Sequence, residues 1–291
     1  MEKYKIAVVS GKGGVGKSMI CSYLSYLFSK EMKIVVVDGD VDCPNLHLWF
    51  GDKNPWEKEE RISVSEKAMI EKDKCKGYGK CLKICQFGAV DIKDGRYVVN
   101  SFFCEGCGAC EMVCPEKAIR LEKVLNGRIR ESSKFGFKFF GGKLEEGESG
   151  SGKVVSYIKE KADREDYQLM MIDGPAGVDC PVIASINDAN YVVLVTEPTV
   201  AGFSDLKKIL VVVKYFGIEW GVVINRCDID EEYFEKIKEF CGDKFLGKVG
   251  FDKRVYDLSA QLKSIAESNL EVKDEIEKVY ERVKEDLDIQ L

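Results

Sequence analysis

Short apolar runs alternate with amphipathic stretches at both ends of this chain, and the alternation breaks in between. Lys5-Ile-Ala-Val-Val-Ser10 predicts a strand buried on both faces, residues 17–30 a helix, and Lys33-Ile-Val-Val-Val-Asp38 a second strand of the parallel-sheet type. From about 52 to 150 the sequence is charged and rich in Cys and Gly, with only short strands such as Arg96–Val99. The alternation then resumes with a helix near 152–162 and strands Gln168–Asp173 and Tyr191–Thr196. Helix 203–216, strand Gly221–Asn225, helix 231–241, strand Phe245–Val249 and a long terminal helix at 270–288 complete it. Strands alternating with helices predict an α/β fold: a mostly parallel sheet flanked by helices.

The break defines the domain organisation. A glycine-rich loop lies before it and a second strand ending in aspartate lies after it, so neither flank completes a site alone. The expected division is one discontinuous domain, residues 1–60 and 130–291, with residues 61–129 inserted into it. A length of 291 residues accommodates one large α/β domain and a small addition. Apolar content of 45% and charged content of 32% are those of a globular protein. A net charge of −6 gives no reason to expect nucleic acid, which needs clustered Lys and Arg. No apolar run reaches the roughly 20 residues of a membrane span and no signal peptide precedes the first strand, so a cytoplasmic location without stable membrane insertion is expected.

The loop Gly11-Lys-Gly-Gly-Val-Gly-Lys17-Ser18 joins the first strand to the first helix, which is the context of a phosphate-binding loop. Gly11, Gly13, Gly14, Val15 and Gly16 then supply backbone N–H groups to the phosphates, and the helix N-terminus adds partial positive charge. Lys17 is expected to reach the β- and γ-phosphates and Ser18 to ligate Mg²⁺. A second cluster, Ser149-Gly-Ser-Gly-Lys153, lacks a preceding strand and reads as a loop and helix start. His47, beside Leu46 and Trp49, reads as packing or a loop hydrogen bond.

The extra lysine after the first glycine, Lys12, resembles the deviant phosphate loop of the MinD/ParA superfamily of P-loop ATPases, related to Mrp-type carriers and the nitrogenase iron protein. The resemblance extends to Asp38-Gly-Asp40-Val-Asp42 as switch I, Asp173-Gly-Pro-Ala-Gly177 as the Walker B strand and switch II, and Asn225-Arg226 at the adenine-reading position. It implies ATP and Mg²⁺ as ligands and a dimer, either a homodimer or a heterodimer with a related ATPase. In that dimer Lys12 crosses to the partner's nucleotide. Asp40 orients the attacking water, Asp38 sits near Mg²⁺ and the switch, and Asp173 holds Mg²⁺ through water.

Seven of the twelve cysteines fall between Cys75 and Cys114. Cys104-x2-Cys107-x2-Cys110-x3-Cys114-Pro115 has the spacing of a bacterial ferredoxin half. Cys75, Cys81 and Cys85 fit a first half in which Tyr78 occupies the second cysteine position and Gln86 the proline position. In two-cluster ferredoxins the fourth cysteine of each half serves the other cluster. One 4Fe–4S cluster is thus expected on Cys85, Cys104, Cys107 and Cys110, and Cys75, Cys81 and Cys114 are left for a second site. That site reads as a 3Fe–4S cluster, as a 4Fe–4S cluster with a labile iron, or as degenerate. A zinc module is a poorer fit, since zinc takes four ligands. Cys21 and Cys241 read as buried helix residues, and packing is the expected role of Cys43 and Cys180 although both lie in switch segments.

Across its length the chain resembles MinD-superfamily ATPases with an inserted ferredoxin domain. That resemblance implies an ATP-hydrolysing iron–sulfur protein in which a nucleotide-dependent dimer switch gates electron transfer or cofactor delivery to a redox or scaffold client. The alternative is a positioning or partitioning ATPase with the clusters as sensor or scaffold. The tail from Glu271 reads as an acidic amphipathic helix packed on the sheet, unlike the basic helices that seek membranes.

Overall fold

The computed structural model describes residues 3–288. Strand β1 (Tyr4–Ser10) leads through the glycine loop into α1 (Lys17–Glu31), followed by β2 (Ile34–Asp38), the short α2 (Leu46–Trp49) and β3 (Lys58–Ile62). Then come β4 (Ser65–Ile70), α3 (Lys80–Ile84), β5 (Val90–Lys93), β6 (Arg96–Val99), α4 (Ala109–Val113) and β7 (Ile119–Val124). Two further strands, β8 (Gly127–Ser132) and β9 (Lys138–Leu144), precede α5 (Ser151–Asp163), β10 (Leu169–Ala176) and α6 (Cys180–Ile186). The chain closes with β11 (Tyr191–Thr196), α7 (Val200–Tyr215), β12 (Glu219–Asn225), α8 (Glu231–Cys241), β13 (Phe245–Val249), α9 (Lys253–Ala260) and α10 (Val272–Asp286).

Nine strands form one sheet in the order β13-β12-β11-β1-β10-β2-β9-β8-β3. From β13 to β9 every neighbouring pair is parallel; β8 and β3 add an antiparallel edge. Alternation along β1 divides the core. Ile6 and Val8 face a layer containing α1 and α10, whereas Ala7 and Val9 face one built by α5, α6, α7 and α8. Because both faces are covered, the central strands are continuous apolar runs. In α10 it is Val272, Ile276, Val279, Tyr280 and Val283 that are buried, so the acidic amphipathic helix packs on the sheet as expected; the last residues of that stretch, 289–291, lie outside the described residues.

The interruption is narrower than the sequence suggested. Strands β3, β8 and β9 lie within 52–150, yet they belong to the main sheet. Their sequences hide this. β3 is Lys-Glu-Glu-Arg-Ile, an edge strand whose exposed charges pair with Arg128 and Arg130 of β8. β9 carries Gly141 because Trp56 stacks where a side chain would stand, with the ring 2.5 Å from the place of a Cβ. The inserted part therefore runs between β3 and β8, a few residues inside 61–129, as two antiparallel pairs, β4 with β7 and β5 with β6.

Candidate functional site

The glycine loop sits at the carboxyl end of β1, between parallel neighbours β10 and β11, where open α/β sheets bind ligands. Gly14 and Gly16 adopt left-handed backbone (φ 81° and 93°), which aims successive N–H groups inward. The loop is held from three sides. Asn225 Nδ2 donates to the Val15 carbonyl at 2.7 Å, the Gly177 N–H donates to the Ser10 carbonyl at 2.8 Å, and Ser10 Oγ donates to the Lys12 carbonyl at 2.7 Å. Gly13, Gly14, Gly16, Lys17 and Ser18 line the cavity that results. Gly11 and Val15 do not: Gly11 packs against the Asp205 carbonyl, and Val15 is buried.

Two strand aspartates meet beneath the loop. Asp173, within β10 and paired in register with Asp38 of β2, is fully buried and neither carboxylate oxygen has a hydrogen-bond partner. Burial raises its pKa, with Lys17 and the neighbouring Ser18 hydroxyl pulling the other way. An orphaned buried carboxylate beside a phosphate-loop serine fits a hydrated Mg²⁺. Asp38 is equally buried but occupied, accepting from the Leu46 N–H at 3.1 Å and the Asp40 N–H at 3.2 Å. It braces the turn that follows β2 and does not line the cavity. Burial and the Asp173 charge raise its pKa. Asp40 does line the cavity, accepts from the Cys43 N–H at 3.2 Å, and is raised by burial against the opposing pull of Lys17.

The far wall was not legible in the sequence. Phe251, Asp252, Val255 and Tyr256, from the turn after β13 and from α9, line the same cavity as Met19 and Val272 and give it a largely apolar wall. Its only advance signal was position, the loop after the last parallel strand. Asn225 and Arg226 line the same cavity, but Arg226 is engaged, donating to Glu197 at 3.2 Å and to the Tyr256 hydroxyl at 2.7 Å. Lys12 turns away from the cavity and donates to Glu197 Oε1 at 2.7 Å.

The inserted cysteines gather into two sets. Cys85, Cys104, Cys107 and Cys110 line one small cavity, and Cys75, Cys81 and Cys114 line another together with Tyr78. The sets are related by a local repeat. Tyr78 stands between Gly77 and Gly79 (φ 75° and 72°), and Cys107 between Gly106 and Gly108 (φ 65° and 76°). Backbone N–H groups of Ala68, Ala89 and Ala118 each donate to a sulfur, Cys104, Cys85 and Cys114 in turn, all at 3.3 Å. Tyr78 donates its hydroxyl to Glu116 at 3.2 Å and is 59% exposed. Among the described residues no three His, Cys, Asp or Glu side chains converge on a single ion. A zinc site would require that convergence, whereas a cluster carries its thiolates on separate irons. Glycine cradles and N–H···S bonds are features that fit a cluster.

Two expectations are corrected. Cys43 and Cys180 are exposed, so packing is not their role: the chain turns outward after the buried Val41, and Cys180 opens α6 on the surface. Cys21 and Cys241 are buried in α1 and α8. His47 lies against Trp56, its ring centroid 5.5 Å away, with Nδ1 buried and unpartnered. Among the described residues no helix is long and apolar enough to cross a membrane.

Comparison with known proteins adds a family. Residues 6–265 match the CobQ/CobB/MinD/ParA nucleotide binding domain. An uncharacterized protein of Methanocaldococcus jannaschii is 38% identical over 97% of this chain and 96% of its own length. The chloroplastic homolog of the septum site-determining protein MinD from Arabidopsis thaliana is 24% identical over 86% of this chain and 64% of its own. Among solved structures, MinD of Pyrococcus horikoshii complexed with Mg-ADP aligns over 97% of this chain and 96% of its own, with a TM-score of 0.59 and 18% identity.

Proposed function

This chain belongs to the CobQ/CobB/MinD/ParA nucleotide-binding family, and on that premise we propose that it works as an ATP-driven two-subunit switch. It is an ATP-binding and ATP-hydrolysing P-loop enzyme of the MinD/ParA kind. Lys17 and the loop N–H groups hold the phosphates, Ser18 and Asp173 are the groups that would hold Mg²⁺, and Asp40 orients the attacking water. When bound, the metal neutralises charge developing on the phosphates. The base lies against the apolar wall by Tyr256, and Lys12 reaches a second subunit's nucleotide.

What the switch drives has two readings. The comparisons favour a positioning or partitioning role, because relatives along most of the chain are named septum site-determining proteins. The inserted cysteines favour an iron–sulfur role, in which the nucleotide cycle gates electron transfer or cofactor delivery. The observation that carries the second reading is the gathering of the cysteines into two sets, with Ala89 donating to Cys85 and Ala118 to Cys114 at equivalent places in a local repeat. On that reading Cys85, Cys104, Cys107 and Cys110 hold a 4Fe–4S cluster, and Cys75, Cys81 and Cys114 a cluster one thiolate short.

One experiment separates them. Protein reconstituted anaerobically with iron and sulfide is assayed for iron and followed by a redox titration with and without ATP; the same preparation is sedimented with anionic vesicles and with DNA. Bound iron with an ATP-dependent midpoint supports the iron–sulfur role. Near-zero iron, or a midpoint indifferent to ATP alongside ATP-dependent sedimentation, overturns it in favour of positioning.

A further inference from the structure

Lys12 and Lys17 share one loop and point to different places. Lys17 is 8% exposed and lines the nucleotide cavity. Lys12 leaves the loop on its other side, where its ammonium meets Glu197 at 2.7 Å. Glu197 follows β11 directly, and its side chain is 8% exposed against 40% for that of Lys12. The backbone there has little freedom. The Thr199 N–H donates to the Glu197 carbonyl at 2.8 Å, and Gly202 of α7 packs so closely that a Cβ would stand 2.3 Å from that carbonyl oxygen. Thr196 Oγ1 donates to the Gly202 carbonyl at 3.0 Å, tying the strand end to the helix start.

The second carboxylate oxygen is also taken. Arg226 donates to Oε2 at 3.2 Å while its other arm donates to the Tyr256 hydroxyl on the base side of the cavity. One sheltered carboxylate therefore grips a half-exposed lysine with one oxygen and is fixed in direction by an arginine strut through the other. The Arg226 backbone is left-handed (φ 51°), so the strut is itself set by the turn at the end of β12.

We infer that Glu197 is a positioning residue of the ATPase: it retains Lys12 on its own subunit, and the lysine is surrendered only when a second subunit's nucleotide outcompetes the carboxylate. This rests on the two-subunit reading above. A nucleoside triphosphate carries more negative charge than one carboxylate, and a diphosphate carries less than a triphosphate. The hold thus sets a threshold for bringing subunits together that a triphosphate passes and a diphosphate does not. It also keeps the Lys12 charge satisfied while no partner is present.

The test is ATP-dependent association of the full chain, followed by sedimentation velocity across ATP concentrations. Glu197→Gln is expected to lower the ATP concentration at half-association about three- to tenfold, the scale of one released ion pair. It should also permit association with ADP. The double variant Lys12→Ala with Glu197→Gln should associate no better than Lys12→Ala, since the effect acts through the lysine; a purely structural role for Glu197 would not give that dependence. An unchanged or raised midpoint in Glu197→Gln overturns the inference. Should that variant fail to fold, Glu197→Asp keeps the charge while shortening the reach, and an unshifted midpoint there has the same meaning. Lys12→Ala associating like the unaltered protein would instead refute the two-subunit reading.

Discussion

A carboxylate that is fully buried with both oxygens unpartnered costs folding free energy, and Asp173 is in that state. Unsatisfied buried polar groups cost about 1–3 kcal/mol, more when charged. Asp173→Asn is therefore expected to raise the stability of the nucleotide-free protein by about 1–2 kcal/mol. Mg-ATP at about a hundredfold its dissociation constant should stabilise the unaltered protein by about 2.7 kcal/mol, and most of that gain should vanish in the variant. The pH dependence has a definite sign. Burial raises the folded-state pKa of Asp173 above the ordinary value of about 3.9, so the folded state holds the proton more tightly than the unfolded one. The resulting stabilisation is present at low pH and fades as pH rises through the folded value. The gap between Asp173→Asn and the unaltered protein should accordingly be small near pH 4 and widen toward neutrality, as thermal melts without nucleotide would record. Asp173 itself was visible in the sequence, at the end of an apolar strand. Its want of a partner was not, because that depends on what α1 and β2 bring against it. The pairing of Glu197 with Lys12 was hidden for a related reason: the two lie 185 residues apart along the chain, and no local pattern joins them.

Elements follow the same division. The central strands and flanking helices were legible because burial on both faces writes continuous apolar runs and burial of one face writes a helical stripe. Strands β3 and β8 were not, because an antiparallel edge tolerates charge, and Glu59 with Arg128 and Arg130 looks like a solvated loop until the pairing is known; β9 was hidden instead by its paired glycines, Gly141 and Gly142. The end of α6 shows an element completed from outside its own sequence. Lys159 of α5 is nearly buried and donates to the carbonyls of Ala184 at 2.8 Å, Ser185 at 3.2 Å and Asn187 at 2.6 Å, and to Asp188 at 2.6 Å. It supplies the partners that the last carbonyls of α6 lack within the helix. Its pKa is lowered by burial, with Asp188 opposing. Lys159→Met keeps the aliphatic stem but strands these acceptors, and should cost about 2–4 kcal/mol in denaturant unfolding. Since α6 opens directly after the loop that follows β10, the variant should also loosen that segment.

At the scale of the whole molecule, the nucleotide end and the cysteine block are joined through the stretch that leads into α5. Gly152, in its first turn, lies so near the start of α6 that a Cβ would stand 3.0 Å from the Cys180 carbonyl oxygen. Just before it, Asn126 Nδ2 donates to the Ser149 carbonyl at 2.9 Å while its Oδ1 accepts from the Val64 N–H at 2.9 Å, pinning the point where the insertion leaves the main sheet. Glu148 then pairs at 2.8 Å with Lys67 of β4, a lysine that is 4% exposed. The next residue, Ala68, donates its N–H to Cys104 Sγ. The path runs by contacts and by short steps along the chain, from the residue that opens α6 to a thiol of the four-cysteine set. Contiguity alone does not establish coupling; a response at one end to a ligand at the other does. Mg-ATP is therefore expected to alter amide hydrogen exchange at 145–152 and also in β4, whether or not the protein has been reconstituted with iron. In Lys67→Met, which removes the ammonium while preserving the stem, the change should stop at 145–152. A response of β4 that is the same in Lys67→Met would show that the ion pair does not carry the signal; no response in either would show that the two ends act independently.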